Sequence, residues 1–134
     1  MATVLIVEDD PINVRVFSTI LRKRGNFEVI CSEDVAEIIA LTSAGEVDVV
    51  MMDVSLTAST HQGELLDGIQ ITQMLKADPT TKNVPVILVT AHAMQGDREN
   101  FLAKSGADGY ISKPVVDYEE FLKQIQGWVN QGTN

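Results

Sequence analysis

Three runs of this chain, Val4–Val7, Val47–Met52 and Val86–Val89, are apolar almost without interruption, with Asp48 the lone exception. A strand with one face in water alternates polar and apolar residues. A strand covered on both faces reads as a continuous apolar run, and such strands belong to the centre of a parallel sheet. Parallel neighbours need long crossovers, normally helical. The segments between the runs supply them. Ile12, Val16, Phe17, Ile20 and Leu21 form one apolar stripe, which the spacing ends at Gly25 in a C-cap position. Val35, Ile38, Ile39 and Thr42 form a second, ended by Gly45. A third helix is predicted over about 68–77, opened by Asp67-Gly68, with Ile71, Met74 and Leu75 inward. A fourth runs from about Ala93 to Ser105, weakened at its start by Gly96 and closed by Gly106. The fifth opens with Asp117 and Glu120, a capping-box-like pair, and turns Phe121, Leu122, Ile125, Trp128 and Val129 inward. Two shorter, more polar strands, Phe27–Cys31 and Tyr110–Ser112, suit the sheet edges. The expected fold class is α/β: a doubly wound, five-stranded parallel sheet with five helices, in one domain over residues 1–134.

Composition narrows the function classes. A net charge of −9 with no run of Lys or Arg argues against direct nucleic-acid binding. No apolar segment is long enough to span a bilayer, and no signal-like leader precedes the first strand. Cys31 is the only cysteine, which excludes an internal disulfide and favours a reducing, cytoplasmic setting; its expected role is a small buried hydrophobe in a strand.

Four of the strands stop at polar residues that suit phosphate and magnesium chemistry. The first runs into Glu8-Asp9-Asp10, the third into Asp53, the fourth into Thr90 and the fifth into Lys113-Pro114. In an open parallel sheet the carboxyl ends of the strands meet in one crevice, where ligands bind. An Asp after an apolar strand is, taken singly, more often a cap or loop opener. Acid pair, acid, hydroxyl and lysine, in that order at four strand ends, are what phosphoryl chemistry assisted by a divalent cation needs. Asp53 is the candidate nucleophile. Mg²⁺ prefers a few carboxylates plus waters and phosphate oxygens; Asp9 and Asp53 suit direct ligation, Glu8 suits ligation through a water, and the backbone carbonyl of Ser55 would complete the set. Lys113 and Thr90 offer an ammonium and a hydroxyl to phosphoryl oxygens, and Ala91 leaves room beside them.

These residues resemble the receiver domain of two-component response regulators, of the stand-alone, chemotaxis-regulator kind. Val4–Pro11 is similar to the family's first strand and acidic pair, Val50–Asp53 to its phosphoacceptor strand, Val89–Ala93 to its fourth strand with the switch Thr, and Gly106–Pro114 to its fifth strand with switch aromatic, Lys and Pro. The resemblance implies the flavodoxin-like strand order 2-1-3-4-5. It implies Asp53 as the phosphorylated residue, Mg²⁺ held by Glu8, Asp9, Asp53 and the Ser55 carbonyl, and Asp10 as a helix-start charge rather than a ligand. It further implies phosphoryl contacts from Lys113 and Thr90, Tyr110 moving inward as Thr90 swings, a cis Lys113–Pro114 bond, and Ser55 and His92 where phosphate lifetime is tuned. The implied partners are a sensor histidine kinase or histidine phosphotransfer protein as donor, and a protein target on the face of helix 4, strand 5 and helix 5, through which a homodimer also forms in such proteins. The rivals at this level are a Mg²⁺-dependent phosphatase or phosphotransferase, a receiver-like module that is never phosphorylated, and a segment of a larger hybrid kinase or regulator. Ser55, two residues past Asp53, stands where such enzymes carry a second acid.

The chain departs from the family pattern after Asp53. Thr57 stands where a proline is usual, and the loop 54–66 runs to thirteen residues, against roughly 2–6 in most such connections. A partner-specificity or lid role, with His61 in it, is one expectation for this loop; a polar insertion without a role is the other.

Overall fold

In a computed structural model, residues 2–54, 60–61, 64–65, 67–90, 97–113, 115 and 117–132 are described. The strands are β1 (Thr3–Val7), β2 (Glu28–Cys31), β3 (Val49–Asp53), β4 (Thr60–His61), β5 (Glu64–Leu65), β6 (Val86–Thr90) and β7 (Gly109–Ser112). The helices are α1 (Pro11–Thr19), continued by a π-helical turn (Ile20–Arg24), α2 (Val35–Ser43), α3 (Gly68–Ala77), α4 (Asp97–Ser105) and α5 (Tyr118–Gly132).

The main sheet has the order β2-β1-β3-β6-β7 with every pairing parallel. Setting the small β4–β5 hairpin aside, that is 2-1-3-4-5. The three apolar runs are the central strands, each buried at every residue; β2 and β7, the more polar pair, are the edges. Because side chains alternate across a strand, each central strand feeds two cores. Val4 and Ile6 of β1 join Val49, Met51, Ile87 and Val89 against Phe17, Leu21, Phe121 and Ile125 of the α1–α5 layer. Leu5 and Val7 join Val50, Met52, Val86 and Leu88 against Ile38, Ile71 and Leu75 of α2 and α3, with Phe101 of α4 at the margin.

Helix ends follow their local chemistry. The carboxylates of Asp10, Asp34 and Asp67 cap α1, α2 and α3, and Asp67 and Gln70 form a reciprocal capping box. Asp117 accepts from the Glu120 amide at 3.0 Å, as its spacing predicts. Gly45 and Gly106 leave α2 and α4 at φ +76° and +79°, a region that costs glycine little.

Three expectations are corrected, and one is refined. Ile12 and Val16 do not join the buried stripe of α1: they are 73% and 42% exposed. At 3.6 residues per turn they lie about 140° and about 100° around the helix from Phe17, outside the arc that holds Phe17, Ile20 and Leu21. Gly25 is the C-cap of the helix, as its position predicts, with φ −102°; the positive φ, 56°, belongs to Asn26. Gly25 is needed for space, since a Cβ there would lie 2.7 Å from Phe27 Cδ2 and 2.8 Å from Leu122 Cδ2. Cys31 is exposed rather than buried, because it ends the edge strand β2; its Sγ lies 3.8 Å from Ser18 Oγ. Finally, the loop 54–66 is not wholly irregular: Thr60–His61 pairs antiparallel with Glu64–Leu65. Ala93–Gly96, the expected start of the fourth helix, lies outside the described residues, as does the side chain of His61. No helix among the described residues is long and apolar enough to cross a membrane.

Candidate functional site: an acidic crevice with one lysine

The carboxyl ends of β1, β3, β6 and β7 converge because the parallel register aligns them. Asp53 stands opposite Val89, and Thr90 opposite Ser112. The Lys113 amide donates to the Thr90 carbonyl at 2.8 Å, tying the last turn of β7 to β6. The side chains that the sequence singles out are therefore brought together. Glu8 and Asp53 are buried and Asp9 is half-buried, and one carboxylate oxygen from each lies within 4.8 Å of the others. Lys113 Nζ reaches Glu8 Oε1 at 3.1 Å and Asp53 Oδ1 at 3.6 Å. The Asp9 amide donates to Glu8 Oε2 at 3.1 Å, fixing the Glu8 carboxylate across the turn. Thr90 is fully buried at the end of β6.

Burial pushes the Glu8 carboxyl up to about 7. A hydrogen bond shared with Asp53 and the neighbouring Asp53 charge push the same way, and Lys113 opposes them. The electrostatics have a simple reading. Were all three acids ionised, they would exceed the single ammonium by two negative charges. A dication balances that excess and lets all three acids ionise together. The donor set is all oxygen, which suits Mg²⁺ rather than a softer metal.

Tyr110 lies two residues before the Thr90–Ser112 pair, half-buried, with its ring stacked on Phe101 of α4 at 6.4 Å between centroids. Asp10 stays out of the acidic group and caps α1 instead, its Oδ1 accepting from the Ile12 amide at 2.9 Å. Ser55, Ala91, His92 and Pro114 lie outside the described residues.

Sequence reasoning missed Gly68. A Cβ at this position would lie 2.0 Å from the Asp53 carbonyl oxygen and 3.1 Å from Met52 Cγ. The first turn of α3 thus packs directly on the backbone of Asp53, and only glycine permits it. The Asp67-Gly68 pair signals a helix start, but nothing local signals what that start packs against.

This fold and crevice define a class: a doubly wound α/β domain that gathers acids, a hydroxyl and a lysine at its ligand-binding edge. The chain belongs to the response regulator receiver domain family, whose model matches residues 4–126. It is 32% identical over 127 residues to the polar-differentiation response regulator DivK of Brucella anthropi, covering 95% of each chain. Among solved structures it resembles the receiver domain of the sensor histidine kinase PA1611 from Pseudomonas aeruginosa PAO1, with a TM-score of 0.78 and 32% identity over 96% of this chain and 98% of that one. That structure has a magnesium ion coordinated in its active-site cleft. The chemotaxis protein CheY4 of Vibrio cholerae shares the fold, with a TM-score of 0.76 and 24% identity over 95% of this chain and 98% of that one. Receiver domains are signalling switches of two-component systems, and this chain is one of them.

Proposed function

We propose that the chain is a single receiver unit that switches its protein-binding surface when Asp53 accepts a phosphoryl group. The observation that carries this is the crevice itself: three carboxylates gathered against one lysine at the ends of neighbouring strands. Glu8, Asp9 and Asp53, with the Ser55 carbonyl, would hold Mg²⁺, and the ion when bound supplies charge neutralisation to the transferring group.

The remaining work belongs to the chain's own residues. An Asp53 oxygen attacks phosphorus, and the new O–P bond forms as the N–P bond to a donor histidine breaks, the bonding pair leaving with the imidazole nitrogen. Lys113 moves its ammonium from Glu8 and Asp53 toward the phosphoryl oxygens. Thr90, at the neighbouring strand end, donates its hydroxyl to another of them. Tyr110 follows, and because its ring stacks on Phe101 the change reaches α4. The surface that changes is the face of α4, β7 and α5, where the protein target docks and where a homodimer would form. The donor is a sensor histidine kinase or a histidine phosphotransfer protein, in a cytoplasmic setting. The crystallised magnesium site of the PA1611 receiver supports the metal assignment by analogy.

Incubation with acetyl phosphate and Mg²⁺, read by intact mass, tests the reading. One phosphoryl adduct that needs Mg²⁺ and is absent from Asp53→Asn is expected. An adduct that persists in Asp53→Asn, or none with either acetyl phosphate or a phosphorylated histidine kinase, overturns it.

A further inference from the structure

Between α1 and the end of β2 runs a groove of about 780 Å³, within the roughly 300–1,000 Å³ of small-ligand sites. Its helical wall is basic. Arg15, Ser18 and Arg22 recur at intervals of three and four residues, which puts them on one side of the helix, and Lys23 adjoins them. Arg22 and Lys23 belong to the π-helical turn, a conformation frequent at functional sites. The Arg22 guanidinium is steadied there by donating from Nη2 to the Val29 carbonyl of β2 at 3.1 Å. A guanidinium has further N–H donors in a planar fork, a shape that matches a phosphate.

The opposite wall carries Ser32 and Glu33, just past β2. Cys31 lines the groove as well, its Sγ 3.8 Å from Ser18 Oγ. The mouth is formed by Glu8 and Asp9 beside the apolar Pro11 and Val14. An anion is therefore repelled from the mouth and drawn along the helix toward Arg22 and Lys23. In doubly wound folds that bind dinucleotides, an acid about 20 residues past the first strand–helix turn accepts from a ribose hydroxyl. Glu33 occupies that place. The turn itself differs, because Glu8-Asp9-Asp10 replaces the glycines that would hold phosphate at the start of α1. The arrangement left open has a diol at Glu33 and the phosphate toward the π turn.

We infer that this groove is a small-molecule site for a phosphate monoester carrying a cis-diol, the chemistry shared by ribonucleotides and pentose phosphates. Arg15, Arg22 and Lys23 take the phosphate, Glu33 accepts from the diol, and Pro11 and Val14 face the rest of the ligand. The charge distribution supports this assignment. The chain has ten Lys and Arg against a net charge of −9, and residues 25–75 hold none of them. Three of the ten nonetheless line one groove, a local reversal of sign that draws anions to it. The site uses neither Asp53 nor Lys113, so it stands whether or not Asp53 accepts a phosphoryl group. Its occupant lies beside Glu8 and Asp9, which places a metabolite at the edge of the switch.

Adenosine 5′-monophosphate, its 2′-deoxy form, ribose 5-phosphate and inorganic phosphate test the inference. Each is titrated into the ¹⁵N-labelled full chain in metal-free buffer at fixed ionic strength, so that no ion in the crevice holds the phosphate. Amide shifts give the Kd, and the rate of Cys31 alkylation by iodoacetamide is a second readout from within the groove. The two ribose esters are expected to shift amides of residues 15–23 and 31–33. They should slow alkylation about tenfold at ten times their Kd. The deoxy form is expected to bind about five- to tenfold more weakly, and Lys23→Gln to weaken every ester by a similar factor. Glu33→Ala should erase the difference between the ribose and deoxyribose forms. Tighter binding of the adenosine ester than of ribose 5-phosphate assigns a nucleotide, and equal binding assigns a pentose phosphate. Inorganic phosphate as tight as the esters, a deoxy form equal to the ribose form, or unchanged affinity in Lys23→Gln overturns the inference. So do shifts confined to other residues, or no saturable binding at millimolar concentration.

Discussion

At Gly68 a single missing carbon decides how the site is built. Gly68→Ala would force a Cβ to within 2.0 Å of the Asp53 carbonyl oxygen, and neither β3 nor the capped start of α3 has room to give. The expected result is a loss of about 1–3 kcal/mol in urea unfolding, with slower labelling of Asp53 as its backbone is displaced. Gly127 is the counterexample, because nothing lies within 4 Å of a Cβ built there. Gly127→Ala, at an exposed position of α5, should gain roughly 0.5–1 kcal/mol by helix propensity, so the two glycine variants should move stability in opposite directions. No reading of the sequence separates them, since the difference is made by what each one packs against. Glu8 carries a second residue-scale prediction. Its carboxyl is raised from 4.5 to about 7 in the folded chain, so the native state holds this proton more tightly than the unfolded state does. In metal-free buffer its contribution to stability is full below about pH 4.5 and is lost as pH rises through about 7. Chemical denaturation across that window should show a stability decline that Glu8→Gln removes; an identical slope in both proteins would refute the assignment.

The elements were legible where one local signal settled the matter, and less so where packing did. Continuous apolar runs gave β1, β3 and β6 because burial on both faces leaves no polar position to confuse the period. Asp67 and Asp117 marked helix starts because a cap is a contact between near neighbours, and the Asp34 cap of α2 went unread. The stripe on α1 was misjudged for a physical reason: an apolar residue at helical spacing signals a helix without saying which arc faces the sheet. The hairpin at Thr60–His61 and Glu64–Leu65 was missed because segments this short carry no periodicity. Asp108 shows the same limit at longer range. Its carboxylate accepts from the Val86 amide at 2.8 Å and pairs with Lys76, whose ammonium also donates to the Lys82 and Val84 carbonyls at 3.0 Å each. This cluster joins the end of α3 to the starts of β6 and β7, between residues up to 32 positions apart. Asp108→Ala leaves the Val86 amide and Lys76 without this shared partner. It should cost about 1–3 kcal/mol, whereas an exposed surface aspartate away from such a cluster would fall within about 0.5 kcal/mol.

For the whole molecule, strand order and charge distribution decide where the acids meet. The sequence supplied the residues of the crevice, but adjacency of the β1, β3, β6 and β7 ends depends on the order β2-β1-β3-β6-β7, which the apolar runs alone do not specify. Once assembled, the crevice concentrates negative charge in a chain already at −9, while α1 carries the opposite sign. Two effects of Mg²⁺ must then be told apart. Any salt screens the general repulsion of an acidic chain, whereas binding at Glu8, Asp9 and Asp53 stabilises only the folded state that assembles them. Site binding predicts a Tm that rises with the logarithm of Mg²⁺ concentration above its Kd, by about 2.7 kcal/mol of stability at one hundred times Kd. NaCl at matched ionic strength should reproduce only a small part of that rise. Asp9→Asn should abolish the specific part while keeping the screening part, because it removes one half-buried carboxylate of the acidic group without disturbing the Lys113–Glu8 pair. Equal rises in NaCl and MgCl₂, or an undiminished Mg²⁺ effect in Asp9→Asn, would show that the ion acts on the charge of the whole chain and not in the crevice.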